Sequence, residues 1–161
     1  MPDAMQRVRT EIVAQLNGGN AHATLEQVVA DFPAQSRGAV PEGLPYSAWQ
    51  LLEHIRLAQE DILKFVVNDG GGYVAPNWPD DYWPEAAAPP SEKAWQESIR
   101  RIEADRKRFA EVVENPNSDL LKPFPWGDGQ TLLHEAFLIV DHTAYHLGEI
   151  VAIRRMLGVW K

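Results

Sequence analysis

Two histidines four residues apart, His142 and His146, lie in the run TLLHEAFLIVDHTAYHLGEIVAIRRMLG from Thr131 to Gly158. On a helix, residues three and four apart share a face, so two imidazoles at this spacing can aim at one point, as in helical zinc motifs. The zinc-protease pattern requires Glu directly after the first His; Thr143 stands there, so that reaction is excluded. The pair alone fits a metal site or two core histidines satisfied by carbonyls or acids. A third histidine on another segment favours the metal, and His54, in SAWQLLEHIRLAQEDIL, is the candidate. Three neutral imidazoles leave a coordination position open, where a divalent ion converts water or a thiol into a nucleophile near neutral pH.

Neighbouring residues have plausible parts in such chemistry. Leu138, His142, Tyr145, His146, Glu149 and Ile153 fall on one helical stripe, expected to face the interior. Glu149, one turn past His146, can accept its second ring N–H, or pair with an arginine of another helix. Tyr145 can donate a proton to an intermediate or be an ordinary buried tyrosine. His22 can reach the cleft as an acid–base group or serve as a surface or capping residue. Asp141 is rotated about 100° from His142, which predicts a salt bridge to a neighbouring helix. His134 is about 12 Å along the axis from His142, too far to share an ion. Trp49, Trp78, Trp83 and Trp126 either wall a pocket for an apolar substrate group or plug the core.

The elements that must position these residues read as helices. Met5, Val8, Ile12 and Leu16 recur at helical spacing from Pro2 until Asn17-Gly18-Gly19, and Asn20 could cap a continuation through Phe32. Ser47 with Gln50 forms a capping-box signature for a second helix running to Asn68, its apolar stripe Leu51, Ile55, Ala58, Ile62 and Phe65 beside His54. Asp69-Gly70-Gly71-Gly72 ends it. The proline-rich stretch to Pro90 holds Tyr73, Trp78, Tyr82 and Trp83, too much aromatic surface for a disordered linker, so it is expected to fold back over the helices. Ser91 caps a third helix with Trp95, Ile99, Ile102, Phe109 and Val113 buried, stopped by Asn115-Pro116. Thr131 caps the fourth. With no alternating strand pattern, the expectation is an all-α, four-helix bundle forming a single domain over residues 1–161, with long loops that permit a crossover.

Composition narrows the function classes. The formal charge of −8 opposes phosphate contacts, so no nucleic acid partner is expected. The basic residues Arg100, Arg101, Arg106, Lys107 and Arg108 alternate with Glu97, Glu103, Asp105 and Glu111, the pattern of a solvated helix face. There is no cysteine, so disulfides, thiolate ligands and a cysteine nucleophile are excluded. Apolar runs too short for a bilayer and an N-terminus without an apolar segment lead to the expectation of a cytoplasmic chain with no membrane contact. Gly70-Gly71-Gly72 lacks the P-loop lysine and the dinucleotide pattern.

The histidine within SAWQLLEHIRLAQEDIL, together with DHTAYHLGEI, resembles the DinB-like superfamily of metal-binding four-helix-bundle proteins over nearly the whole chain. The resemblance implies that His54, His142 and His146 bind a divalent metal, zinc or nickel first, iron or manganese next. It also implies a small-molecule substrate, a low-molecular-weight thiol as co-substrate, a thiol S-transferase-like or hydrolase reaction, and a homodimer. The rival readings are a non-catalytic metal- or ligand-binding module and a structural helical dimer.

Overall fold

The computed structural model describes residues 3–68 and 71–160. Side-chain caps open its helices by satisfying N–H groups that the first turn leaves unpaired. Asp3 accepts the Gln6 N–H at 2.7 Å ahead of α1, Ala4–Asn17. Thr24 and Gln27 form a reciprocal capping box for α2, Leu25–Val29, and Ser47 with Gln50 does the same for α3, Ala48–Val66. Ser91 caps α4, Glu92–Glu114, and Thr131 caps α5, Leu132–Met156. Short 3-10 turns occupy Ala34–Ser36 and Asp80–Tyr82, and among the described residues there is no strand.

The sequence reading holds for the four long helices and misplaces some ends. Pro2, its start for the first helix, lies outside the described residues, as do Asp69 and Gly70 of the glycine breaker. Asn20 caps nothing: Gly18 and Gly19, at φ +73° and +82°, lead the chain away and Thr24 starts the next turn of helix. Val67 rather than Asn68 closes α3. Met5 and Val8 are 41% and 40% exposed, so the buried side of α1 is carried by Ile12, Leu16 and Arg9, whose guanidinium donates to the carbonyls of Val113 and Ser118.

α3 packs mainly on α4 and α5, and α1 packs on the same two helices. The long helices therefore run α1, α4, α3, α5 around the bundle, and the α1–α3 and α4–α5 links cross it diagonally instead of joining neighbours. This arrangement is the crossover that the long loops permit. The α1–α3 link packs against the α3–α4 connection: Ser47 Oγ donates to the Ala87 carbonyl at 2.5 Å, and a Cβ at Gly38 would lie 2.4 Å from that of Ala88.

The apolar interior is divided in two. One cluster joins Trp49, Leu52 and Ile55 of α3 to Trp95, Ile102, Leu147, Ile150 and Ile153; the other joins Ile62 and Leu63 to Ile12, Phe109, Val113, Leu132 and Ile139. On α5 the divide falls between Ile139 and Leu147, the segment that carries His142 and His146. Polar groups thus enter the interior where the apolar packing changes partners, so they do not interrupt a continuous cluster.

Candidate metal centre

His54 is 2% exposed and His146 8%, and the ring centroids of the three histidines lie 4.5–4.7 Å apart. Each ring offers a nitrogen within 4.8 Å of the others. The His54 and His142 Nε2 atoms are 2.9 Å apart. Two ligands of one tetrahedral ion at 2.0–2.1 Å would be separated by ~3.3 Å, so a small opening of the rings accommodates an ion.

The other side of two rings is fixed. His54 Nδ1 donates to the Tyr82 carbonyl at 2.9 Å, and His146 Nδ1 donates to Glu149 Oε2 at 2.6 Å. With each Nδ1 carrying the hydrogen, both Nε2 atoms keep lone pairs toward the common centre, the tautomer a metal requires. The role expected of Glu149 in orienting His146 has its geometry here. Burial, then repulsion from His146 and His54, pushes the His142 imidazole down to about 4; burial, then His54, does the same for His146. Burial likewise lowers His54. The three rings are neutral at pH 7 and available as ligands.

A stack of rings holds His54 from below. Trp83 lies parallel to His54, with centroids 3.8 Å apart and 7° between planes, and Tyr46 stacks on its far face at 4.0 Å and 15°. Trp83 and Tyr82 belong to the aromatic loop, which is tied to α3 by two tyrosines: Tyr73 and Tyr82 donate to Asp61 at 2.9 and 2.6 Å. Burial and then the Asp61 carboxylate hold both phenols protonated, well above the usual tyrosine range. The loop folds back as its composition suggests, and it brings the Tyr82 carbonyl to the site. Sequence reasoning missed Tyr82, Tyr46 and Asp61: the first acts through its backbone, the others from positions with no motif.

Other expectations change. Leu138 and Tyr145 are 42% and 66% exposed, so the inward side of α5 runs through Glu135, Ile139, His146, Ile150 and Ile153, with His142 at its edge. Tyr145 stands outside the cluster, its ring 4.9 Å from His146. The interior stripe fails there because the bundle buries a sector shifted toward Ile139 and Ile150. His22 does not reach the cleft: it is exposed, its Nδ1 donates to the Ala23 carbonyl at 2.9 Å, and it borders Ala144, Leu147 and Gly148 on the far side of α5. Asp141 is exposed and makes no salt bridge to a neighbouring helix among the described residues. His134 is exposed, away from the triad. Trp49 is a core residue, Trp126 donates its indole N–H to the Phe65 carbonyl, and Trp78, 70% exposed, stands 6.3 Å from His54.

An all-helical bundle with a three-histidine cluster, two of its rings buried, is the setting in which the family comparison is decisive: the sequence model of the DinB superfamily matches residues 20–150. The chain belongs to the DinB superfamily. Among curated proteins and among solved structures, nothing matches it. In this superfamily member the matched segment includes all three histidines, Glu149 and the loop carrying Tyr82 and Trp83. The arrangement is compatible with binding a divalent metal, since it supplies three neutral nitrogen donors, two with their tautomers set by hydrogen bonds.

Proposed function

We propose that this chain is a metal-dependent enzyme in which His54, His142 and His146 hold a divalent ion, zinc or nickel, and a thiol or water attacks a small electrophilic substrate. The observation that carries this reading is the convergence of three ring nitrogens, with the Tyr82 carbonyl and Glu149 carboxylate behind two of them. Among the described residues no carboxylate joins the group, which supports an open fourth position. A divalent ion held there would supply Lewis acidity, lowering the pKa of a thiol or water at that position.

The protein's own groups would do the rest. Glu149 and the Tyr82 carbonyl keep His146 and His54 from rotating, and the Trp83–Tyr46 stack shields one face of His54 from water. Trp78, its ring 6.3 Å from His54, and Tyr145, its ring 4.9 Å from His146, are both exposed and would offer aromatic contact to the hydrocarbon part of a substrate. Neutral imidazoles add no positive charge of their own, so the site favours a neutral electrophile or one whose charge meets the ion.

Elemental analysis and calorimetric titration of the purified chain test the metal: near-stoichiometric binding is expected, abolished in His54→Ala, His142→Ala and His146→Ala. At 100 times its dissociation constant a bound ion adds ~2.7 kcal/mol of stability, which raises the melting temperature of a chain this size by about 5–10 °C. Product formation from low-molecular-weight thiols with electrophiles, dependent on metal, tests catalysis. Binding without turnover would leave the metal-binding module; no metal at all would leave a structural bundle.

A further inference from the structure

α3 and α5 run antiparallel. Trp49, Leu52 and Ile55 near the start of α3 share a core cluster with Leu147, Ile150 and Ile153 near the end of α5, whereas Ile62 and Leu63 share the other with Leu132 and Ile139. In that register His54 meets His142. Asp61 stands seven residues after His54, and Glu135 stands seven residues before His142. Seven residues are close to two turns, so each acid keeps the face of its histidine, about 10 Å along the helices from the triad. The packing that joins the histidines therefore brings these two carboxylates together as well.

Glu135 is 5% exposed and has no hydrogen-bond or ion-pair partner among the described residues. It is not sealed in: among those residues the enclosed polar side-chain atom without a partner is Ser98 Oγ, so the Glu135 oxygens keep contact with solvent. Its charge bears on Asp61 and on the Tyr73 hydroxyl, which donates to Asp61, so the carboxylate is directed toward them. Burial, opposed by His134 and reinforced by Asp61, holds the Glu135 carboxyl above the usual carboxylate range. A carboxylate kept in such a place without a partner costs stability, which a ligand of opposite charge would return.

The surroundings indicate what kind of ligand. Among the described residues no lysine or arginine pairs with either acid, so a counter-charge has to come from outside the chain. A bare divalent ion needs more donors than two acids, and the triad is the group of three ligating side chains found among those residues. Aromatic rings gather round Asp61 instead. Tyr73 and Tyr82 donate to it at 2.9 and 2.6 Å, and the Trp78 ring lies 5.2 Å from that of Tyr82 and 6.3 Å from that of His54. Carboxylates among aromatic rings are the environment in which organic cations are held. Each Asp61 oxygen, with one phenol bonded, retains a lone pair, and Glu135 offers both of its oxygens.

We propose that Asp61 and Glu135 form a subsite for an organic ammonium group, carried about 10 Å from the reacting end of the substrate. That the other end reacts at the triad rests on the metal reading above; the affinity of the acid pair for ammonium does not.

The test compares aminohexanethiol, long enough to reach from the triad to the acid pair, with its neutral counterpart hydroxyhexanethiol on the zinc-loaded chain. Calorimetry should show the amine binding at least about tenfold tighter, the gain of a charge-assisted hydrogen bond. Glu135→Gln should remove the gain, and Glu114→Gln, the same change of net charge at an exposed position on α4, should leave it. Aminoethanethiol, too short to span, should gain nothing over hydroxyethanethiol. Because Glu135 has no partner to lose, Glu135→Gln should melt no lower than wild type, with unchanged far-UV circular dichroism. Equal affinities of the two long thiols, a gain that survives Glu135→Gln, or the same gain in the short pair would overturn the proposal. Hexylammonium on the metal-free chain, followed by tryptophan fluorescence against hexanol, separates the two readings. Binding that depends on Glu135 in a chain that holds no zinc would leave the subsite standing and the metal reading refuted. Thiols that bind zinc-loaded protein with no preference for the amine would do the reverse.

Discussion

If His146 holds an ion as proposed, removing the Glu149 carboxylate isolates the contribution of a residue that orients the ligand ring without touching the ion. Its Oε2 accepts from His146 Nδ1 at 2.6 Å, a short bond to a charged acceptor. Such bonds contribute ~1.5–3 kcal/mol, or about 10–100-fold in metal affinity, which agrees with the usual effect of losing an outer partner of a metal-bound histidine. The Glu149 side chain is 37% exposed and the His146 side chain 10%, so solvent screening argues for the lower end, about tenfold. Glu149→Gln keeps an acceptor while losing the charge, and about half the free energy should remain, a loss of about threefold. Zinc affinity measured by chelator competition at pH 7.5 should therefore rank wild type, Glu149→Gln, Glu149→Ala and, far weaker, His146→Ala. Circular dichroism of the metal-free proteins should be indistinguishable. Zinc binding by Glu149→Ala as tight as that of wild type would refute the reasoning that this carboxylate fixes the ring.

Trp83→Leu removes the parallel ring under His54, worth ~0.5–1.5 kcal/mol of stacking, and should weaken zinc binding about 2–10-fold while His54 Nδ1 keeps its Tyr82 partner; chelator competition with Trp83→Phe as the partial rescue checks it. Asp61→Ala deprives both Tyr73 and Tyr82 of their acceptor and should release the aromatic loop, seen as faster proteolysis and hydrogen exchange near residues 73–83 and a stability loss of ~1–3 kcal/mol in urea. Metal-free stability should depend on the triad below neutrality. His142 and His146 are lowered to about 4 from an unfolded value near 6.5, so the unfolded chain binds more protons between those values. Stability attributable to the pair is full above pH 6.5 and declines as pH falls toward 4. A His142→Gln/His146→Gln variant should lose less stability than wild type across that window in urea titrations; parallel curves would refute it.

The sequence by itself determined the helices and the identity of the polar cluster. Ser47, Ser91 and Thr131 work as caps because capping is local, decided by a side chain and an N–H three residues away. His142 and His146 share a face because helical geometry alone puts them there. The approach of His54 could be suspected but not measured, since it depends on how α3 meets α5. Only the tertiary structure decided which sector of α5 is buried, and so excluded Tyr145 and Leu138 from the interior. It also sent His22 to the opposite side and brought the Tyr82 carbonyl and the Trp83 ring to His54. These outcomes depend on contacts between residues far apart in the chain, and on a backbone carbonyl that every residue type possesses. No local pattern encodes them; the packing of α3, α5 and the aromatic loop does.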